Sequence, residues 1–159
     1  MKRTGITIAA ALLALALPGI ATAQHDHGGH AIPAPRAEQK DQIFVSYEKA
    51  RQALINGSLP NVQKAAKAVG AAARRADQLK LAELAMTLEK AEDLESARVA
   101  FGVMSDEAIK YLRETRSRGD KPVVAYCAME KKSGLQPGGD IGNPYVDASM
   151  RKCGEITRR

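Results

Sequence analysis

Between Glu38 and Gly119 apolar residues recur every three or four positions, and a period of that kind admits helices and little else. Ile43, Phe44, Tyr47, Ala50 and Leu54 draw one stripe. Asn56-Gly57 stops it, because glycine accepts the left-handed conformation at a helix end. Ser58 then caps a second helix with Pro60 in its first turn. Val62, Ala65, Ala66, Val69, Ala72, Ala73 and Ala76 give that helix a face of small residues, which lets neighbouring backbones approach closely. A third stripe runs from Leu79 through Leu81, Leu84, Leu88, Ala91, Leu94 and Phe101 toward Met104. Ser105-Asp106-Glu107 reads as a fresh start, a cap followed by acids at the positive end of a helix dipole. Ala108, Ile109 and Leu112 continue inward until Gly119-Asp120-Lys121-Pro122 ends the helical region. Four helices with short connections predict an all-α fold, an up-and-down four-helix bundle over residues 38–120. Residues 121–159 then form a C-terminal Cys/Met-containing hook packed on it. Within the hook, Val123 to Tyr126 reads as extended and Val146 to Cys153 as one or two helical turns. Ser133 to Pro144, with four glycines and two prolines, reads as a loop.

The N-terminus speaks to compartment. Lys2-Arg3, the apolar run Ile6–Leu17, the break at Pro18-Gly19 and the small residues Ala21-Thr22-Ala23 have the layout of a secretory signal peptide, residues 1–23. The run is short for a bilayer span, so no membrane span is expected after cleavage, and the location is periplasmic or secreted. Residues 24–37 form a His-rich tail with no apolar surface for a core and are expected to be disordered. Losing Lys2 and Arg3 with the leader lowers the formal charge from +6 to +4. The basic residues are scattered and aromatic residues are few, which argues against a nucleic-acid partner.

The chemistry sits at the ends. Cys127-Ala128-Met129 and Met150-Arg151-Lys152-Cys153 hold the only two cysteines and two of the five methionines. Thiolate and thioether are soft ligands and suit Cu(I). Cys127 and Met129 share a face if the chain is extended, and Met150 and Cys153 share one on a helical turn. The alternative is a Cys127–Cys153 disulfide, the default for two cysteines in an exported chain, in a structural or protein-interaction domain without metal. His25, His27 and His30, all the histidines present, offer a separate site for Cu(II)-like ions. With no histidine in the helical region and no Cys-x-x-Cys-His, a haem bundle is not expected. Nor is an enzyme: the acids alternate with Lys and Arg as on a solvated helix face, and no glycine-rich phosphate loop precedes a helix.

Three blocks carry a resemblance. Tyr126-Cys127-Ala128-Met129, Ile141-Gly142-Asn143-Pro144-Tyr145 and Met150-x-x-Cys153-Gly154-Glu155 resemble the family called domain of unknown function 3347. The likeness extends upstream through Arg98, Phe101 and Ser105 and, more loosely, over the first helices. Ala128 stands where that family usually has proline, and Gly134-Leu135 where it usually has tryptophan. The resemblance implies an exported helical domain closed by the Cys/Met hook, in a heavy-metal context. It names a metal ion and a heavy-metal efflux adaptor or other periplasmic protein as partners, and implies no settled activity.

Overall fold

A computed structural model describes residues 37–115 and 122–158, all within the unit Pro33–Arg159. The expected signal peptide and the tail with His25, His27 and His30 lie outside the described residues. Four helices come first: α1 Ala37–Ile55, α2 Leu59–Arg75, α3 Leu79–Glu89 and α4 Leu94–Thr115. Then come strands β1 Val123–Cys127 and β2 Lys132–Gln136, a 3-10 turn at Ala148–Met150, and strand β3 Glu155–Arg158.

The first two helices form where the stripes predict them. Gly57 ends α1 in the left-handed region, and Pro60 sits in the first turn of α2. Ser58 precedes α2 in an extended conformation, but its side chain makes no capping bond. Each helix packs on the next, and α4 returns against α1. The small residues act as expected: a Cβ added to Gly70 on α2 would lie 3.6 Å from the Cβ of Ala85 on α3. Tyr47, Leu54, Leu81, Leu88, Phe101, Met104 and Leu112 are buried in one core with the α2 alanines. Among the described residues no helix is long and apolar enough to cross a membrane.

Two expectations fail. The first is the all-α fold class. The segment expected to be an irregular hook carries a three-stranded antiparallel sheet in the order β2-β1-β3, so the protein is a mixed α/β fold. Lys132–Gln136, of which Ser133–Gln136 reads as part of a glycine-rich loop, pairs along its whole length with β1, from Cys127↔Lys132 to Val123↔Gln136. The C-terminal Glu155–Arg158 pairs on the other side, with Tyr126↔Glu155 and Ala125↔Ile156. β2 has little intrinsic preference for extended backbone, β3 has only Ile156 and Thr157 to favour it, and both are strands through pairing to β1. Leu135 then seats a fully buried side chain in the helical core.

The second is the start of the last helix. Ser105 does not cap a new helix but lies buried inside α4. The break comes earlier, over Lys90–Asp93. Asp93 Oδ1 accepts the Ser96 N–H at 2.7 Å, and Ser96 Oγ reaches back to the Asp93 N–H at 3.3 Å. This reciprocal pair is a capping box at the start of α4. The Ser96 backbone N–H, and after it the Ser96 hydroxyl donating to Asp93 Oδ1 at 2.7 Å, hold the Asp93 carboxyl below its ordinary pKa.

Candidate metal centre

A chain of buried hydroxyls fastens the sheet to the helices. Ser105 Oγ on α4 lies 2.7 Å from Tyr47 Oη on α1 and 3.1 Å from Tyr145 Oη. Tyr47 Oη accepts the Leu135 N–H at 3.0 Å, and the Tyr145 hydroxyl donates to the Ser133 carbonyl. Each hydroxyl has one proton, and a carbonyl can only accept. The Tyr145 hydroxyl is the donor toward both Ser105 Oγ and the Ser133 carbonyl, so one connected path runs from the Leu135 N–H through Tyr47, Ser105 and Tyr145 to Ser133. The path begins and ends on β2. Gly134 lies between those two residues, where an added Cβ would meet Tyr145 Oη at 3.1 Å and Tyr47 Oη at 3.3 Å. A tryptophan has no room there, which gives a physical reason for glycine at this place.

The segment from Ile141 to Gly154 is held just as closely. Asn143 is buried and uses its amide, its carbonyl oxygen and its backbone N–H. Nδ2 donates to the Cys153 carbonyl at 2.8 Å, Oδ1 accepts the Tyr145 N–H at 2.9 Å, and the backbone N–H donates to the Arg151 carbonyl at 2.6 Å. Arg51 on α1 makes a two-pronged pair with Glu48, both contacts at 2.7 Å, and its third arm donates to the Gly142 carbonyl. Arg98 on α4 pairs with Asp147 at 3.1 Å and donates to the Val146 carbonyl at 3.3 Å. Gly154 has φ +137°, and a Cβ there would come 2.9 Å from the Tyr126 carbonyl oxygen. A glycine is therefore required for the chain to enter β3 beside β1.

These anchors decide where the sulfurs fall. Cys127 ends β1 and is buried, with its side chain in the core cluster. Because β3 runs antiparallel beside β1 with Tyr126 opposite Glu155, Cys153-Gly154 arrives next to Cys127. Cys127 and Cys153 line the same small cavity with Arg51, Asn143 and Tyr145. Both cysteines are free thiols, Cys127 buried and Cys153 exposed, so the disulfide alternative is not what the structure contains.

The methionines lie outside that cavity. Cys127 and Met129 were expected on one extended face, but the chain turns at Ala128–Lys131, with Lys131 at φ +51°. Met129 rides on this hairpin turn, 56% exposed. Met150 closes the 3-10 turn and is 40% exposed. The Cys153 N–H donates to the Met150 carbonyl at 2.7 Å, so Met150 and Cys153 do share one turn. Met150 lines a shallow groove with Arg98, Glu130, Lys132 and Asp147, and Glu130 is the neighbour of Met129. Thus the two thiols share a cavity, while the two thioethers flank the same end of the sheet at the surface. Among the described residues no three His, Cys, Asp or Glu side chains gather as a metal-holding group.

Arg51 and Asn143 shape the site most, and the sequence marks them unequally. Asn143 belongs to the Asn-Pro-Tyr stretch expected to shape the loop. Arg51 is signalled only weakly, by Glu48 one turn earlier on the stripe-bearing helix. No family model, curated protein or solved structure matches this chain.

Proposed function

We propose that this chain is an exported protein that binds a soft, copper-like metal ion for sequestration or for handover to an efflux system. The observation that carries the reading is the β1–β3 register, which brings two thiols distant in sequence to one cavity. Sulfur donors select soft ions. Met129 and Met150, exposed at the same end of the sheet, supply thioethers where an arriving ion first meets the protein. The leader-like N-terminus and the resemblance of the C-terminal block to a family found in heavy-metal contexts support the same reading. His25, His27 and His30 would act as a separate capture tail for the oxidised ion. The metal is cargo in this reading, and an efflux adaptor is the kind of partner to which it would pass.

The test is a Cu(I) titration of the reduced protein against a chelator of known affinity. The expected result is uptake of one ion per chain, with a melting temperature that rises with free metal. Cys153→Ser, a change at an exposed position, removes that uptake without unfolding the helices. A reduced wild type that takes no Cu(I) from the chelator rejects the proposal and leaves an interaction domain as the better reading.

A further inference from the structure

We infer that the bound ion is monovalent and two-coordinate, a Cu(I) or Ag(I) held by the thiolates of Cys127 and Cys153 alone. The inference rests on the soft-metal reading and narrows it to one class of ion and one ligand set.

Three observations converge. The cavity that both cysteines line is small, about 10 Å³, close to the least that holds one water. A zinc-like ion asks for four donors, and the side chains lining this cavity supply two sulfurs. The remaining lining offers no suitable donors: it contains no histidine, aspartate or glutamate, and the thioethers of Met129 and Met150 are absent from it. The amides of Gln136 and Asn143 are already engaged, with the Asp140 carbonyl and the Gly142 N–H for one, and with the Cys153 carbonyl and the Tyr145 N–H for the other. A two-coordinate ion asks for nothing beyond the two sulfurs.

Charge points the same way. When one Cu(I) displaces the protons of two thiols, two Cu–S bonds form, two protons leave to solvent, and the product carries one net negative charge. Nothing is oxidised or reduced. The only charged residue lining the cavity is Arg51, a cation. Its guanidinium is fixed by Glu48 on one side and the Gly142 carbonyl on the other. An anion at this cavity gains from a fixed guanidinium at its wall, and Glu48 tempers the gain.

The two cysteines also differ in access. Cys153 is exposed and Cys127 is buried, so of the two thiols an ion meets Cys153 first. Met150, one turn before Cys153, is 40% exposed.

The experiment compares the reduced protein loaded with Cu(I), Ag(I) or Zn(II). Copper X-ray absorption is expected to give two sulfur neighbours and no nitrogen or oxygen shell. Stoichiometric Ag(I) is expected to protect both cysteines from alkylation, and a tenfold excess of Zn(II) to leave them reactive. Met129→Leu with Met150→Leu is expected to change Ag(I) affinity by less than threefold. Three or four sulfur neighbours, or a tenfold loss of affinity in the methionine double variant, puts thioethers in the shell and overturns the two-thiolate inference while keeping the soft-metal reading. Equal protection by Zn(II) overturns the selectivity. Absence of uptake for Cu(I) and Ag(I) together rejects the parent reading and this inference with it.

Discussion

Tyr47 is the residue on which the helices and the sheet most directly depend. It is fully buried, its ring lies 4.9 Å from that of Phe101, and its hydroxyl joins Ser105 to the Leu135 N–H. Burial, the largest cause, pushes its pKa up from 10.0 to about 12, and it pushes Tyr145 well above 10.0 as well. Above pH 10 the unfolded chain loses tyrosine protons that the folded protein still holds, so stability falls as pH rises. The contribution is complete below pH 10 and is lost progressively toward pH 12. Tyr47→Phe keeps the ring but leaves the Leu135 N–H and Ser105 without their shared partner, at a cost of about 1–3 kcal/mol. Denaturant unfolding at pH 7 measures that cost. The same variant is expected to lose less stability than wild type between pH 10 and pH 12, since one of the raised tyrosines is gone. A parallel loss in both proteins would mean that Tyr47 is not protected from ionisation in the folded state. The Tyr47 ring was legible in the sequence, because it falls on the α1 stripe. Its hydroxyl was not, because its partners lie 58 and 88 residues away.

At the scale of elements, what was legible divides by the range of the forces involved. Helix period, the stop at Gly57 and the start at Pro60 are local, and α1 and α2 follow them. Leu88→Ala on α3 is expected to cost about 2–5 kcal/mol, because Leu88 is fully buried on the predicted stripe. Met86→Ala, on the exposed side of the same helix, is expected to cost within about 0.5 kcal/mol, and thermal melts of the two variants check the phase. The α3–α4 boundary is also local, but two signals competed. Ser105-Asp106-Glu107 and Asp93-Leu94-Glu95-Ser96 are both plausible helix starts. The second prevails because its side chains are free to cap in water, whereas Ser105 is turned inward to two tyrosines. Asp93→Ala is therefore expected to lower the melting temperature, and Asp93→Asn, which keeps an acceptor for the Ser96 N–H, to restore most of it. β2 and β3 lay beyond sequence reading for another reason. Lys-Ser-Gly-Leu-Gln is a weak strand sequence and Glu-Ile-Thr-Arg a very short one, and each becomes a strand through backbone bonds to β1. An isolated β1 has too few partners to reveal this from its own composition.

For the whole molecule, the sheet matters because it turns two sequence-distant sulfur pairs into one end of a structure. The pairing of Cys127 with Cys153 was visible in the sequence as a choice between disulfide and metal. The separation of thiols from thioethers was not, because it depends on the hairpin turn at Ala128–Lys131. The link from fold to site then passes through Gly154. Its φ of +137° and the 2.9 Å approach of an added Cβ to the Tyr126 carbonyl make it the hinge by which β3 joins β1 and Cys153 joins Cys127. Gly154→Ala strains that hinge, with an expected cost of about 1–3 kcal/mol. Gly138→Ala is the matched control, since an added Cβ there meets nothing within 4 Å. The helices do not rely on the hinge, so far-ultraviolet dichroism is expected to keep its helical signal in both variants. Ag(I) affinity of the reduced protein is expected to fall at least tenfold in Gly154→Ala and to stay within threefold of wild type in Gly138→Ala. If Gly154→Ala is destabilised but binds Ag(I) as tightly as wild type, the β1–β3 register does not assemble the thiol pair, and the route from this fold to metal binding is wrong.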